Sequence, residues 1–354
     1  MQTKERWIPT LDGWRAIAVL MVIVCHEIAG RKDIGKFWDL IAGKLGPLGV
    51  SIFFAISGYL ICTLLLIESD KGRISLRAFY KRRFFRILPP ALVYLAFVGA
   101  ASLLGLLPVS AMDILSCIFL FANYWDKSWY VEHFWSLSIE EHFYLMWPAL
   151  LAFAGWRRAA AFSVGGILLV SAWRIYAGET RFFSSVNPYQ RTDMVLDAFF
   201  APCLLAIAIH YSARVRETAQ RFATPWLTLG GMILLLVLTV GGVQPALKKT
   251  FQALILPIVV VSTVLQPSTW IGRILEHRVL AWIGRVSYSL YLWQELWMSP
   301  FHSWASLPFR MAGLFTVASA SYYFVERPMI AYGRRFLAGR EPAKAKVKAA
   351  AGGA

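Results

Sequence analysis

The stretch LDGWRAIAVLMVIVCHE, Leu11 to Glu27, decides the fold. It is apolar enough to sit in lipid, yet it holds Arg15 near one end and His26 near the other. At 100° per residue, eleven steps fall within about 20° of three full turns, so on a helix both side chains share one face. They stand roughly 16 Å apart along the axis, about half the hydrocarbon thickness of a bilayer. Ionisable groups inside a span are costly and face the interior of a bundle. A cation and a proton-transfer residue on one stripe read as parts of a single site.

Composition extends this reading to the whole chain. Of 354 residues, 58% are hydrophobic and only 16% charged, with a mean hydropathy of +0.55. A soluble domain is nearer a quarter charged, so that class is excluded. The net charge of +16 would suit a nucleic-acid binder. The basic residues, however, cluster in short stretches between apolar runs, the pattern of the positive-inside rule, so nucleic acid is not the expected partner. Cys25, Cys62, Cys117 and Cys203 sit in apolar segments at irregular intervals. Neither a disulfide framework nor a metal site is expected from them. Met1 to Thr10 is short and polar, and no cleavable leader is expected.

Apolar runs of spanning length fall at about 14–30, 47–67, 88–107, 136–154, 159–177, 194–211, 225–241, 250–266, 279–298 and 306–325. The expected fold is therefore all-α: a polytopic integral membrane protein of about ten transmembrane helices. Residues 113–124 are too short and polar-flanked to span and read as an interfacial or re-entrant piece. Of 36 Lys and Arg, 25 fall in the segments on the N-terminal side of the membrane and 10 on the other, with Arg174 inside a span. Both termini are accordingly expected in the cytoplasm. Residues 1–335 would form the membrane domain, and 336–354, ending EPAKAKVKAAAGGA, a disordered basic cytoplasmic tail.

Four segments carry chemistry. Histidine is the side chain best suited to take a proton near neutral pH, which makes His26 a candidate base. In RAFYKRRFFRILPP, Arg77 to Pro90, Arg83 and Arg86 are three apart, and Arg82 and Arg86 four apart, so each pair shares a helix face. Guanidinium forks match phosphate oxygens, and with Arg15 nearby a phosphorylated cytosolic ligand is plausible. FWSLSIEEHFYLMWP, Phe134 to Pro148, places Glu140, Glu141 and His142 in the first two turns of a helix. The two carboxylates point about 100° apart, so one of them is expected to face a given site. A carboxylate facing a histidine can orient the imidazole and stabilise its protonated form. In GPLGVSIFFAISGYLI, Gly46 to Ile61, small Gly49, Ser57 and Gly58 permit close helix approach. Packing is the leading reading there, with Ser57 and Tyr59 as candidate substrate contacts.

Taken in order, LDGWRAIAVL with its following His, GVSIFFAISGYLI, RRFFRILP, FWSLSIEEHFYLMWP, SYSLYLW and VERP resemble the integral-membrane acyltransferase family 3 over roughly residues 8 to 335. That family O-acylates bacterial surface polysaccharides and some small molecules. The resemblance implies that Arg15 and His26 match its first-helix pair, Arg83 and Arg86 its basic-loop pair, and Glu140 the acid of its W-S-L-x-x-E motif. It further implies an acyl-CoA donor in the cytoplasm, with acetyl-CoA the expected case. The acceptor would be a hydroxyl of a carbohydrate or glycolipid outside, reached by a multi-pass protein of the bacterial inner membrane, with polysaccharide-assembly proteins as further partners. On this reading His26 is the base or a transient acyl carrier, and Glu140, with Glu141 in reserve, its carboxylate partner. Two positions depart from the family: His142 replaces the Gln of EEQFY, and Gln294 the His of YLWH. Many members carry a fused hydrolase-like domain after the last helix. With 27 residues following Arg327, a second step on a periplasmic acceptor is expected to need another protein. The rival functions are a transporter or flippase of lipid-linked sugars, with Arg and His lining a path, and an inactive structural partner.

Overall fold

A computed structural model describes residues 8–28, 35–180, 187–298 and 306–338 of the chain. The described residues form helices and short turns, with no strand among them. The helices are α1 (Pro9–Ile28), α2 (Gly35–Asp70), α3 (Leu76–Leu103), α4 (Ala111–Ile118), α5 (Phe134–Glu179), α6 (Asp197–Tyr211) and α7 (Ala213–Phe222). They continue with α8 (Pro225–Val240), α9 (Pro245–Leu265), α10 (Trp270–Leu275), α11 (Arg278–Trp297), α12 (Leu307–Ser321) and α13 (Arg327–Ala338). All ten expected segments fall on these helices. By length and composition alone, four described helices can cross a membrane: 43–70, 76–103, 129–178 and 245–265. A fifth is added if α6 and α7, bent by 112° at their junction, form one broken span. The count of ten is not reached on that criterion, for physical reasons. Helices α6, α8 and α12 have only 15, 16 and 15 residues, and α1 and α11 carry the ionisable groups of an interior site.

Helix α5 shows why its two expected spans register as one. Its 46 residues would extend roughly 69 Å unbroken, more than twice the hydrocarbon thickness. The break is at Gly155, whose φ of 76° and ψ of 168° lie outside the helical region and suit a residue without a Cβ. Arg157 and Arg158 follow immediately, so the turn between the halves is basic.

Small residues set the packing of α1. A Cβ built on Gly49 of α2 would stand 2.6 Å from the Ala18 carbonyl oxygen, and one on Gly46 2.7 Å from Cys25 Sγ. On its other side, a Cβ on Gly284 of α11 would collide with the backbone of Asp12. Backbones thus approach to contact, as small residues allow in membrane bundles. The packing expected of the Gly46–Ile61 segment is what α2 does, and Gly58 plays the same part against Phe199 and Pro202 of α6.

The short 113–124 segment is α4 followed by one 3-10 turn, and α4 opens on a reciprocal capping box between Ser110 and Asp113. The chain stays helical through VERP. A π-turn over Tyr322–Glu326 leads into α13, which runs to Ala338, past the expected domain boundary at 335. The rest of the expected tail lies outside the described residues.

The two ends of the bundle are defined by contacts. Lys44 Nζ donates to the Val240 carbonyl (3.0 Å), joining the N-terminal part of α2 to the end of α8, from which α9 starts five residues on. At the far end of α2, Asp70 meets His210 Nε2 of α6 at 2.6 Å. Lys248 and the exposed Lys71 therefore mark opposite ends. The native cysteines are free and buried, so an introduced thiol reports alone. In intact cells, Lys248→Cys should react with a membrane-impermeant maleimide, and Lys71→Cys only after permeabilisation. Labelling of Lys71→Cys in intact cells would overturn the orientation.

Candidate active site

Helix α1 positions the first group. Arg15 Nη1 donates to Asp12 Oδ1 at 2.9 Å, one turn earlier, and Asp12 is buried. Arg83 and Arg86, one turn apart on α3, both lie in electrostatic range of Arg15, so three guanidinium groups converge. Arg83 lies over the ring of Tyr144 (4.8 Å) and near that of Phe79 (5.7 Å). Neither Arg83 nor Arg86 forms an ion pair or hydrogen bond with a described side chain or carbonyl. Arg82 is not part of the group. It turns to Glu68 at the end of α2, with Nη2 to Oε2 at 3.6 Å.

Against the arginines stands an acid–hydroxyl cluster. Glu140 Oε1 accepts from Tyr144 Oη (2.7 Å), one helical turn on, and from Ser57 Oγ of α2. Tyr144 Oη and Ser57 Oγ are themselves 3.2 Å apart. Glu141 also turns inward. Its Oε1 is buried without a hydrogen-bond partner, in electrostatic range of Glu140 and Arg83. Both carboxylates therefore reach the interior, where one was expected. Tyr59 is buried too, but two residues along a helix put it about 200° round from Ser57. His142 bonds Thr192 Oγ1 (2.7 Å) and stays out of the cluster.

Two motifs that looked weak separately meet here. Ser289 of SYSLYLW donates to buried Glu326 of VERP at 2.9 Å. Glu326 lies in electrostatic range of Arg86 and Arg15, so it closes the arginine group from the α11 side. Tyr288 Oη donates to the Ile87 carbonyl (2.7 Å), pinning α11 to the residue after Arg86. Sequence spacing carried no signal for this meeting, because Ser289 and Glu326 lie on different helices 37 residues apart.

At the other end of the stripe, half-buried His26 places Nδ1 2.6 Å from Gln294 Oε1 of α11. With the amide oxygen turned to the ring, Nδ1 carries the hydrogen and Nε2 keeps its lone pair, the tautomer a base needs. The edge of Trp129 packs on the imidazole at 5.0 Å between centroids. The carboxylate expected beside His26 is thus not Glu140, which is engaged by Ser57 and Tyr144. Gln294, the position that departs from the family motif, makes the contact.

Sequence reading missed His133 and Glu295. Both are buried, with His133 Nδ1 2.5 Å from Glu295 Oε2 and the His133 amide donating to Glu295 Oε1 (3.1 Å). The Glu295 carbonyl accepts from Trp129 Nε1 (3.1 Å), so the pair fixes the tryptophan that packs on His26. The only signal available was an ionisable residue in each of two apolar segments.

The family model described as "Acyltransferase domain" matches residues 8–325. A Staphylococcus aureus (strain COL) protein, named only provisionally as an O-acetyltransferase, is 32% identical over 92% of this chain and 58% of its own length. The peptidoglycan O-acetyltransferase OatA of Listeria monocytogenes is 29% identical over 92% of this chain and 56% of its own. The O-acetyltransferase OatA of Staphylococcus aureus (strain NCTC 8325 / PS 47) is 28% identical, covering 92% and 57%. The chain thus spans a little over half the length of these relatives. No solved structure matches it.

Proposed function

This chain belongs to the acyltransferase-domain family, and from that premise we propose that it is a multi-pass membrane O-acyltransferase of the bacterial inner membrane. It takes an acyl group, acetyl in the first instance, from cytoplasmic acyl-CoA and delivers it to a hydroxyl of a surface carbohydrate or glycolipid. The observation that carries the reading is the pair of half-buried guanidinium groups, Arg83 and Arg86, without an ion-pair or hydrogen-bond partner among the described residues, on the same side of the bundle as Arg15. Cations drawn partly out of water are normally paired, so a group of them without a close carboxylate suits an anionic ligand. The phosphates of CoA fit it in charge and fork geometry.

From there the pantetheine arm runs along the α1 stripe toward His26. His26 Nε2 removes the proton of the acceptor hydroxyl, and that oxygen attacks the thioester carbonyl. The C–O bond forms, the C–S bond breaks, and the proton on His26 passes to the departing CoA thiolate. Gln294 holds the tautomer. Transient acylation of His26 itself uses the same atoms in two steps. A flippase of lipid-linked sugars would need the same buried Arg and His but would release no CoA thiol.

Arg83→Ala or Arg86→Ala should weaken acyl-CoA use on the order of ten- to a hundred-fold, since a charge-assisted hydrogen bond contributes about 1.5–3 kcal/mol. Arg→Lys should restore only part, because an ammonium lacks the bidentate fork. Acyl-pantetheine, lacking the nucleotide phosphates, should be nearly indifferent. The measurement is kcat/KM for the two donors in wild type and each variant. Equal losses on both donors would assign the arginines to folding or lipid contact.

A further inference from the structure

On the opposite side from the arginine group, a cavity of about 190 Å³ opens between α2, α5 and α9. Its lining divides by chemistry. Lys44, Lys248 and Lys249 supply three cations, Trp135 and Tyr189 two aromatic faces, and Asn187, Gln190 and Gln252 amides, with no carboxylate among the lining residues.

Among the described residues the charge of this cavity is unbalanced. The nearby acid, Asp197, is consumed by Arg174, which takes both its oxygens at 3.0 and 2.6 Å. Lys249 lies in electrostatic range of Arg174, Lys248 and Asp197, and forms no ion pair or hydrogen bond with a described residue. Lys44 acts on Lys248 in the same way. Gln252 donates its amide to Thr239 (3.0 Å), which leaves its Oε1 buried and without a partner. An ammonium without a counter-ion and an orphaned amide acceptor, one helical turn apart on α9, both border one cavity.

The cavity also lies level with the base. Gly46, between the lining residues Lys44 and Pro47, packs on Cys25, the neighbour of His26.

We propose that this cavity is the acceptor subsite and that it selects a saccharide carrying a carboxylate or phosphate. The three lysines bind the anion, Trp135 and Tyr189 cover the sugar ring, and the amides take its hydroxyls. Its role as the acceptor subsite rests on the acyl-transfer reading; the binding does not.

The test is binding to the purified full chain in phosphatidylcholine nanodiscs. Trigalacturonate is compared with uncharged galactotriose, and glucose 1-phosphate with glucose. At least one charged probe should bind about tenfold or more tightly than its neutral counterpart. Lys249→Gln and Lys248→Gln should each remove that preference and leave neutral binding unchanged. Trp135→Ala should weaken charged and neutral sugars alike. Lys249→Gln removes an unpaired interior charge, so its Tm should not fall, and Lys248→Gln serves if it does. Failure of both charged probes to outbind their neutral counterparts overturns the proposal, as does an equal effect of the lysine variants on both. Charged-sugar binding that is present in phosphatidylcholine but lost in phosphatidylglycerol nanodiscs would assign the cavity to a lipid headgroup and overturn the proposal. CoA-thiol release without acceptor, followed in the same preparations, reports separately on the acyl-transfer reading.

Discussion

His26→Ala is expected to abolish acyl transfer while leaving the chain folded. The substitution removes the proposed base, and general-base catalysis contributes about 10²- to 10⁴-fold. Little buried volume is lost, because the ring is half-exposed and touches chiefly Gln294 and the edge of Trp129. The neighbouring acid, Glu27, is tied elsewhere, to Arg310 Nη2 at 2.7 Å, and does not depend on the imidazole. Acceptor-dependent release of CoA thiol should fall to background, with the elution volume and Tm of the detergent-purified protein unchanged. His26→Gln, which keeps a polar side chain of similar reach, should be equally inactive. Near wild-type turnover in either variant would remove His26 from the chemistry.

Arg174 governs the second large effect, and it acts on stability. All five of its N–H donors are used: Nε to the Ala246 carbonyl (3.2 Å), Nη1 to the Met194 carbonyl (2.6 Å) and Asp197 Oδ1 (3.0 Å), and Nη2 to Asp197 Oδ2 (2.6 Å) and Thr250 Oγ1 (2.6 Å). Both partners of the ion pair are 1% exposed. Arg174→Ala strands a buried carboxylate and two carbonyls. Breaking a buried pair on one side costs about 3–5 kcal/mol, a large share of the about 5–15 kcal/mol that holds a protein folded. The variant should be lost on extraction into detergent or show a much lower Tm. Asp197→Asn should do comparable damage. The double replacement Arg174→Met with Asp197→Leu leaves no stranded charge and should recover most of the loss. A double variant as unstable as the two single losses added together would show that the pair is not the unit of stability.

What could be read in the sequence follows what a helix fixes locally. The Arg15–His26 stripe, the one-turn spacing of Arg83 and Arg86 and the close packing around Gly49 and Gly58 are consequences of helical period and side-chain size, and each appears as expected. Partners across helices were not legible. Gln294 rather than Glu140 meets His26 because α1 packs on α11, and no local rule states that. Ser289 and Glu326, and His133 and Glu295, are contacts of the same kind. Arg82 shares a helix face with Arg86 in spacing, but an acid at the end of α2 draws it away. The span count suffers from the opposite effect. Helices α1 and α11 carry the polar residues of the interior and are less apolar for it, and ten spans are not reached by length and composition.

The glycine contacts on α1 also say what must travel during turnover. At Gly284 the backbone of Asp12 leaves no room for a side chain, and Gly49 and Gly46 hold the other flank equally close. A slide of α11 along α1 by one helical turn would bring Leu280 or Tyr288, on the same face, into that gap. Close approach at these three glycines opposes sliding along α1, so a piston stroke does not pass through this seam. The span between Arg15 and His26 acts as a fixed gauge, and under the proposed acyl transfer it is the donor's flexible tether that would move along it.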